Sequence, residues 1–174
     1  IAQKMGLPVE KFIASTNVND IVPHYLESGL FEPKPSTSTI SNAMDVGNPS
    51  NFPRMIAFFD NDYEKVKENI IGKSYDDDET KLAMKEVYDN YCYVMCPHTA
   101  VAYLGLTSYL EESGSDANGI LLSTAHPAKF DDVVDPVLGT KVIMPKELKE
   151  ISEKEKVAIP MTKKFEDFKS YLLK

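Results

Sequence analysis

The chain has 174 residues, 43% of them hydrophobic and 26% charged, and a formal net charge of −8 from 27 acidic and 19 basic side chains. A chain of this length holds one domain with an extension and can bury roughly two-thirds of its unfolded surface. The acidic balance argues against a nucleic-acid partner, since no stripe of Lys and Arg is available to track phosphates, and no apolar run approaches the ~18 residues of a membrane span.

Taken in chain order, the opening Ile1-Ala-Gln-Lys-Met-Gly6-Leu-Pro8 reads as the last turn of a helix, with Gly6 as a left-handed cap and Pro8 as a stop. A domain seldom starts there, so the chain is expected to be cut from a longer one. Lys11 to Thr16 reads as a short strand, and Asn17-Val18-Asn19-Asp20 as a turn in which Asn19 or Asp20 caps a helix from Ile21 to Gly29. This alternation points to an α/β fold with a largely parallel sheet flanked by helices.

Residues 31–51 are rich in Pro, Ser, Thr and Asn. So long a polar segment is a linker or a binding loop. The apolar Ile40, Ala43, Met44 and Val46 spaced through it favour a docked binding loop. A helix is expected from Phe52 to Asn69, and a second one opening at the acidic run Asp76-Asp77-Asp78-Glu79. Acidic groups in a first turn complement the helix dipole. A Ca²⁺ loop would need alternating ligands and a glycine in the turn.

Pro97 suits the first position of a helix to about Glu112, apolar almost all round and so expected to be buried. Gly119 to Thr124 reads as a buried parallel strand that ends in hydroxyls and passes into a helix at Ala125-His126-Pro127-Ala128-Lys129. The domain is expected to span residues 1–145. Residues 146–174 form a helical extension, closing in a helix with Phe165, Phe168 and Leu172 turned inward.

In open α/β sheets ligands bind beyond the carboxyl ends of strands. Two such ends carry polar groups, Thr16-Asn17-Val18-Asn19-Asp20 and Ser123-Thr124-Ala125-His126, with Lys129 one turn further on. Helix N-termini after each could hold an anion. Caps and turns account for the same residues equally well. Cys92 and Cys96, with His98 nearby, form one pair without the second that a zinc site requires, so no metal is expected. They fit a reducing, cytoplasmic setting. His98 and His126, each beside a proline at a helix start, read as orienting groups more readily than catalytic ones.

Four segments make the reading specific: Phe-Ile-Ala-Ser-Thr-Asn-Val-Asn-Asp (12–20), Ile-Ser-Asn-Ala-Met-Asp-Val-Gly-Asn-Pro-Ser-Asn-Phe-Pro-Arg (40–54), Pro-His-Thr-Ala-Val-Ala-Tyr (97–103) and Ser-Thr-Ala-His-Pro-Ala-Lys-Phe (123–130). In order and spacing they resemble threonine synthases of the long bacterial and fungal type. The resemblance runs from Ile1 to about Lys146, and the tail matches loosely.

The resemblance implies part of a fold-type II pyridoxal-phosphate (PLP) enzyme converting O-phosphohomoserine and water to threonine and phosphate. The lysine that carries the cofactor and the Ser-Gly-Asn-Phe-Gly type loop that cradles its phosphate lie upstream in such enzymes, so no catalytic residue is expected here and the chain alone should be inactive. Thr124 matches the hydroxyl that bonds the pyridine nitrogen. Lys129 matches a group placed to hold substrate phosphate. The motif loop with Asn42, Asp45, Asn48, Asn51 and Arg54 borders the substrate in the family, and several of these residues are expected only to hold the loop. His24 replaces an arginine of relatives, and Cys96 an acidic residue. A sheet deprived of its other half would leave an edge through which two copies can associate. The competing reading is a phosphate-binding or regulatory homologue without catalysis.

Overall fold

A computed structural model describes residues 1–173. The chain falls into two compact units, Ile1–Ile143 and Met144–Lys174. In the first, the opening residues form a 3-10 turn, Gln3–Met5, ended by Gly6 at φ 98°. Strand β1 (Phe12–Thr16) leads into helix α1 (Ile21–Ser28), which Gly29 closes in the left-handed region. Asp20 occupies the N-cap position of α1 but makes no side-chain capping bond. After the loop come α2 (Phe52–Phe58), α3 (Tyr63–Asn69) and strand β2 (Ile70–Ser74). β2 runs parallel to β1, with Phe12 opposite Ile70 and Thr16 opposite Ser74. The α/β class with a parallel sheet is thus present, as a two-stranded sheet among the described residues.

The single helix expected over 52–69 is two helices. Asp60 and Asn61 both take positive φ (60° and 58°), a conformation that Asp and Asn tolerate better than most residues. Asp62 then restarts the helix, its carboxylate accepting from the backbone N–H groups of Glu64 and Lys65 at 3.0 and 3.3 Å. Tyr25, Leu26, Phe59, Val66 and Ile70 form the core on this side, and Tyr25 meets Phe52 and Tyr63 edge-on.

Helix α4 (Asp77–Tyr91) opens on a full capping box, with Asp76 and Glu79 each bonded to the other's backbone N–H. The acidic run therefore does structural work at a helix start, worth about 1 kcal/mol for such a cap. Helix α5 (Pro97–Ser113) starts with Pro97 at its first turn. It is buried through Pro97, Thr99, Ala100, Val101 and Gly105, whereas its last turn is exposed. A 3-10 turn, Pro127–Phe130, passes into α6 (Asp131–Leu138). Met84, Val87, Ala100, Phe130 and Val134 join α4, α5 and α6 in a second core.

The strand expected over Gly119–Thr124 is absent. The segment is irregular and pairs with no strand among the described residues, and Ile120 is 82% exposed. Sequence of this kind becomes a strand only when a neighbour supplies the ladder. β1 and β2 bond to each other, and no third strand is available among the described residues.

The second unit carries α7 (Lys146–Ser152) and α8 (Phe165–Leu172), and none of its described residues is buried. The inward stripe expected of α8 is exposed instead, Phe165 to 69% and Leu172 to 62%, because no described residue covers it.

Gly72 of β2 shows how closely α1 lies on the sheet. A Cβ there would stand 2.6 Å from the Cα of Pro23 and 3.1 Å from a methyl of Leu26. Gly72→Ala is expected to destabilise the fold by about 1–3 kcal/mol, the usual cost of overpacking a rigid contact. Urea unfolding of wild type and variant measures this; equal midpoints would mean that α1 is not seated on the strand.

Candidate functional site

The carboxyl end of β1 organises the polar loop that follows α1. Asn17 is 1% exposed and lies just beyond the strand. Its Nδ2 donates to Asp45 Oδ1 (2.9 Å), Thr39 Oγ1 (2.8 Å) and Ser41 Oγ (3.0 Å). Asn17 Oδ1 accepts from the backbone and side chain of Asn19 at 3.0 and 2.8 Å. Asn19 in turn exchanges hydrogen bonds with the backbone of Thr37, accepting at 2.8 Å and donating at 2.9 Å. The Asp45 carboxylate also accepts from the backbone N–H and hydroxyl of Thr39, at 3.0 and 2.7 Å. The loop is docked, not free, and closes where Lys34 N–H donates to the Gly47 carbonyl at 2.9 Å. A Cβ on Gly47 would sit 1.8 Å from the Lys34 carbonyl oxygen, so glycine is required there.

This network faces the start of α5. Both ring nitrogens of His98 are buried without a hydrogen-bond partner among the described residues, and the ring leans on Phe130 at 4.8 Å. Burial holds the imidazole below its ordinary pKa; the Asp45 carboxylate pulls it back up, and the Lys129 ammonium pushes it down again. His98 therefore feels the charges of both the loop carrying Asp45 and the turn carrying Lys129. His126 has a different task. Its Nδ1 accepts from Ala128 N–H at 3.1 Å, capping the 3-10 turn and leaving Nε2 to carry the proton.

Ser123 and Thr124 line a cleft of about 790 Å³ between the end of α4 and the residues after α6, with Tyr88, Tyr93, His126 and Lys141 also on its walls. Thr124 is exposed to it, so its hydroxyl is free to donate. Ser123 is tied back to the protein: the Thr99 hydroxyl donates to its Oγ at 3.0 Å.

The residues singled out from sequence thus separate into groups. Asp45 and Lys129 both act electrostatically on His98. Thr124 belongs to the cleft, which no residue of the loop lines. Asn42, Asn48, Asn51 and Arg54 are exposed on the loop and the first turn of α2. Thr99 was not singled out, and Asn17 and Asn19 were marked only as part of a polar strand end that could hold an anion, yet all three do much of the positioning. Asn17 and Asn19 lie in the first quoted motif and Thr99 in the third, which was the available signal. Cys92 is exposed and Cys96 buried.

A family model described as "Threonine synthase, C-terminal" matches residues 99–172. Threonine synthase of Buchnera aphidicola from Schizaphis graminum is 40% identical over 173 residues, 99% of this chain and 39% of the relative. The crystal structure of Escherichia coli threonine synthase superposes with a TM-score of 0.83 at 37% identity, covering 99% of this chain and 39% of that one. The PLP-bound threonine synthase from Brucella melitensis gives 0.76 at 27% identity, over 98% of this chain and 41% of that one.

The α/β arrangement is that of the threonine synthases, and the chain belongs to the threonine synthase family. It spans about two-fifths of the length of these relatives. The match extends to residue 172, so the tail, expected to fit only loosely, is part of the family region.

Two outcomes test the geometry. Asp45→Ala leaves the Asn17, Asn19 and Thr39 donors without their shared acceptor, and is expected to cost roughly 2–3 kcal/mol of stability by urea unfolding. A variant as stable as wild type would mean that the loop is held elsewhere. For His98, the unfolded chain takes up the proton at a higher pH than the folded one. Stability is therefore complete above the ordinary histidine pKa of about 6.5 and falls as pH drops through it, until the folded imidazole also protonates. His98→Asn should lose less stability than wild type between pH 7 and 5. Parallel decline of the two would refute the buried neutral imidazole.

Proposed function

We propose that this chain supplies the C-terminal share of a PLP-dependent threonine synthase, which converts O-phosphohomoserine and water to threonine and phosphate. The observation that carries the reading is the Thr124 hydroxyl, facing a cleft at the point where the family motif places a donor. The fit is chemical. An exposed hydroxyl can donate to an unprotonated pyridine nitrogen, whereas a carboxylate would favour the protonated ring. When bound, PLP supplies an electron sink for carbanion chemistry.

The remaining roles belong to this chain's own side chains. Lys129, exposed at the first turn after His126, offers a cation for the substrate phosphate. Arg54, exposed on α2, offers a planar fork for phosphate or carboxylate. Asn42 and Asn48 border the substrate from the loop, and Asp45 contributes by holding that loop in place. His98 stays neutral beside Lys129 and so does not compete for the same anion. The lysine that carries the cofactor belongs to the part of the family this chain does not span, so the chain by itself is inactive. Residues 1–145 are the catalytic share and 146–174 its helical extension.

A cytoplasmic setting and a small-molecule substrate, without nucleic acid or membrane, complete the proposal. No helix among the described residues is long and apolar enough to cross a membrane. Self-association through the exposed sheet edge is expected of the isolated chain, and a compact monomer in sedimentation at high concentration would count against it.

A PLP titration followed by absorbance tests the assignment. The chain alone should not bind PLP covalently. Supplied with the upstream part of the family sequence, it should take up the cofactor and release phosphate from O-phosphohomoserine. Covalent binding and turnover by the chain alone would place the cofactor lysine within these 174 residues. A completed protein that neither binds PLP nor releases phosphate would favour a regulatory homologue.

A further inference from the structure

The cleft-lining hydroxyls sit on a segment with little to hold it. Residues 119–125 make no backbone–backbone hydrogen bond among the described residues. Apolar contacts fix its two ends: a Cβ on Gly119 would lie 2.7 Å from a methyl of Leu106, and Ala125 packs on the α4–α5–α6 core. Between them, the bond from Thr99 Oγ1 to Ser123 Oγ is the polar tie to the rest of the protein.

Thr99 is 0% exposed, in the first turn of α5, and its hydroxyl also lies 3.2 Å from the Sγ of Cys96, itself 1% exposed. The proton count orders the chain of bonds. A threonine hydroxyl carries one proton. Since Thr99 donates it to Ser123, the contact with Cys96 must run from the thiol S–H to Thr99 Oγ1. Ser123 then accepts from Thr99, which leaves its own proton free for another acceptor, and Ser123 lines the cleft beside Thr124.

We propose that Thr99 is a positioning residue of the cofactor site, acting through Ser123 to fix the place and direction of the Ser123–Thr124 hydroxyl pair. The inference rests on the reading of Thr124 as the donor to the pyridine nitrogen. α5 is anchored in the core by Ala100 and Val101, so it transmits a rigid reference point to a segment that has no ladder of its own. Thr99 touches neither cofactor nor substrate in this scheme.

The test uses the complete protein that carries this chain, with PLP as the probe, and reads PLP affinity and the absorbance of the bound cofactor. Thr99→Val keeps the shape and removes the hydroxyl. It should weaken PLP binding three- to tenfold, the range of one lost hydrogen bond, and shift the cofactor absorbance. Thr99→Ser should restore both. Ser123→Ala, at an exposed position that tolerates truncation, should reproduce the Thr99→Val effect, and the double variant should add little to either. If Thr99→Val fails to fold, Ser123→Ala decides alone. Thr124→Val separates the two readings. If it shifts the absorbance while Thr99→Val or Ser123→Ala leaves binding and absorbance unchanged, the positioning role is overturned and the Thr124 assignment stands. If Thr124→Val itself changes nothing, both fall.

Discussion

The Asp45 carboxylate is the constraint on which the loop side of the site depends. Residues 31–51 contain no strand and only one 3-10 turn, Asn42–Met44, so regular structure cannot satisfy their backbone groups. Side chains do so instead. Asn17 and Asn19 take the place of a neighbouring strand, pairing with Thr37, Thr39 and Ser41, and Asp45 gathers the donors of both asparagines and of Thr39 onto one anion. Hydrogen bonds to an ionised group are about twice as strong as neutral ones. A buried network of this kind is stable only when every member is satisfied. The residues that hold the loop and the residues left free to meet a ligand are consequently different sets: Asn17, Asn19 and Asp45 are occupied, while Asn42, Asn48 and Arg54 point to solvent.

The same carboxylate reaches beyond the loop. It lies close enough to His98 to oppose the effect of burial on that ring, and Lys129 acts from the other direction. A neutral imidazole held by burial adds no third charge to this neighbourhood. The Phe130 ring beside His98 belongs to the α4–α5–α6 core, so this arrangement is fixed by packing as well as by charge.

Local rules were legible wherever a residue's own chemistry decided the outcome. Gly6 and Gly29 end their elements in the left-handed region, Asp76 and Glu79 form a capping box, and Pro97 opens α5. Outcomes that depend on a partner were not legible. Gly119–Thr124 has the composition of a buried strand but no neighbour to bond to. Phe165, Phe168 and Leu172 share a helix face that no described residue covers. The break at Asp60-Asn61 and the strand at Ile70 escaped because the apolar stripe of 52–70 continues through both; only positive φ at two adjacent residues interrupts it. The site divided along the same line. Thr124 and Lys129 were singled out by motif, whereas Thr99 draws attention only through a contact 24 positions away.

That division follows from how the site is built. Each exposed group is backed by a second group already tied into the fold: Thr124 sits beside Ser123, held by the buried Thr99; the turn carrying Lys129 is capped by His126; the loop carrying Asn42 and Asn48 is clamped by the half-buried Asp45. Backing groups held by hydrogen bonds lose little entropy when a ligand arrives, because they are already ordered. A chain spanning two-fifths of its relatives can therefore hold its share of a site in a defined geometry. The hydrogen bonds that hold the loop and the Ser123 hydroxyl are made within residues 1–143, through α5 and the end of β1, which are themselves seated in the two cores.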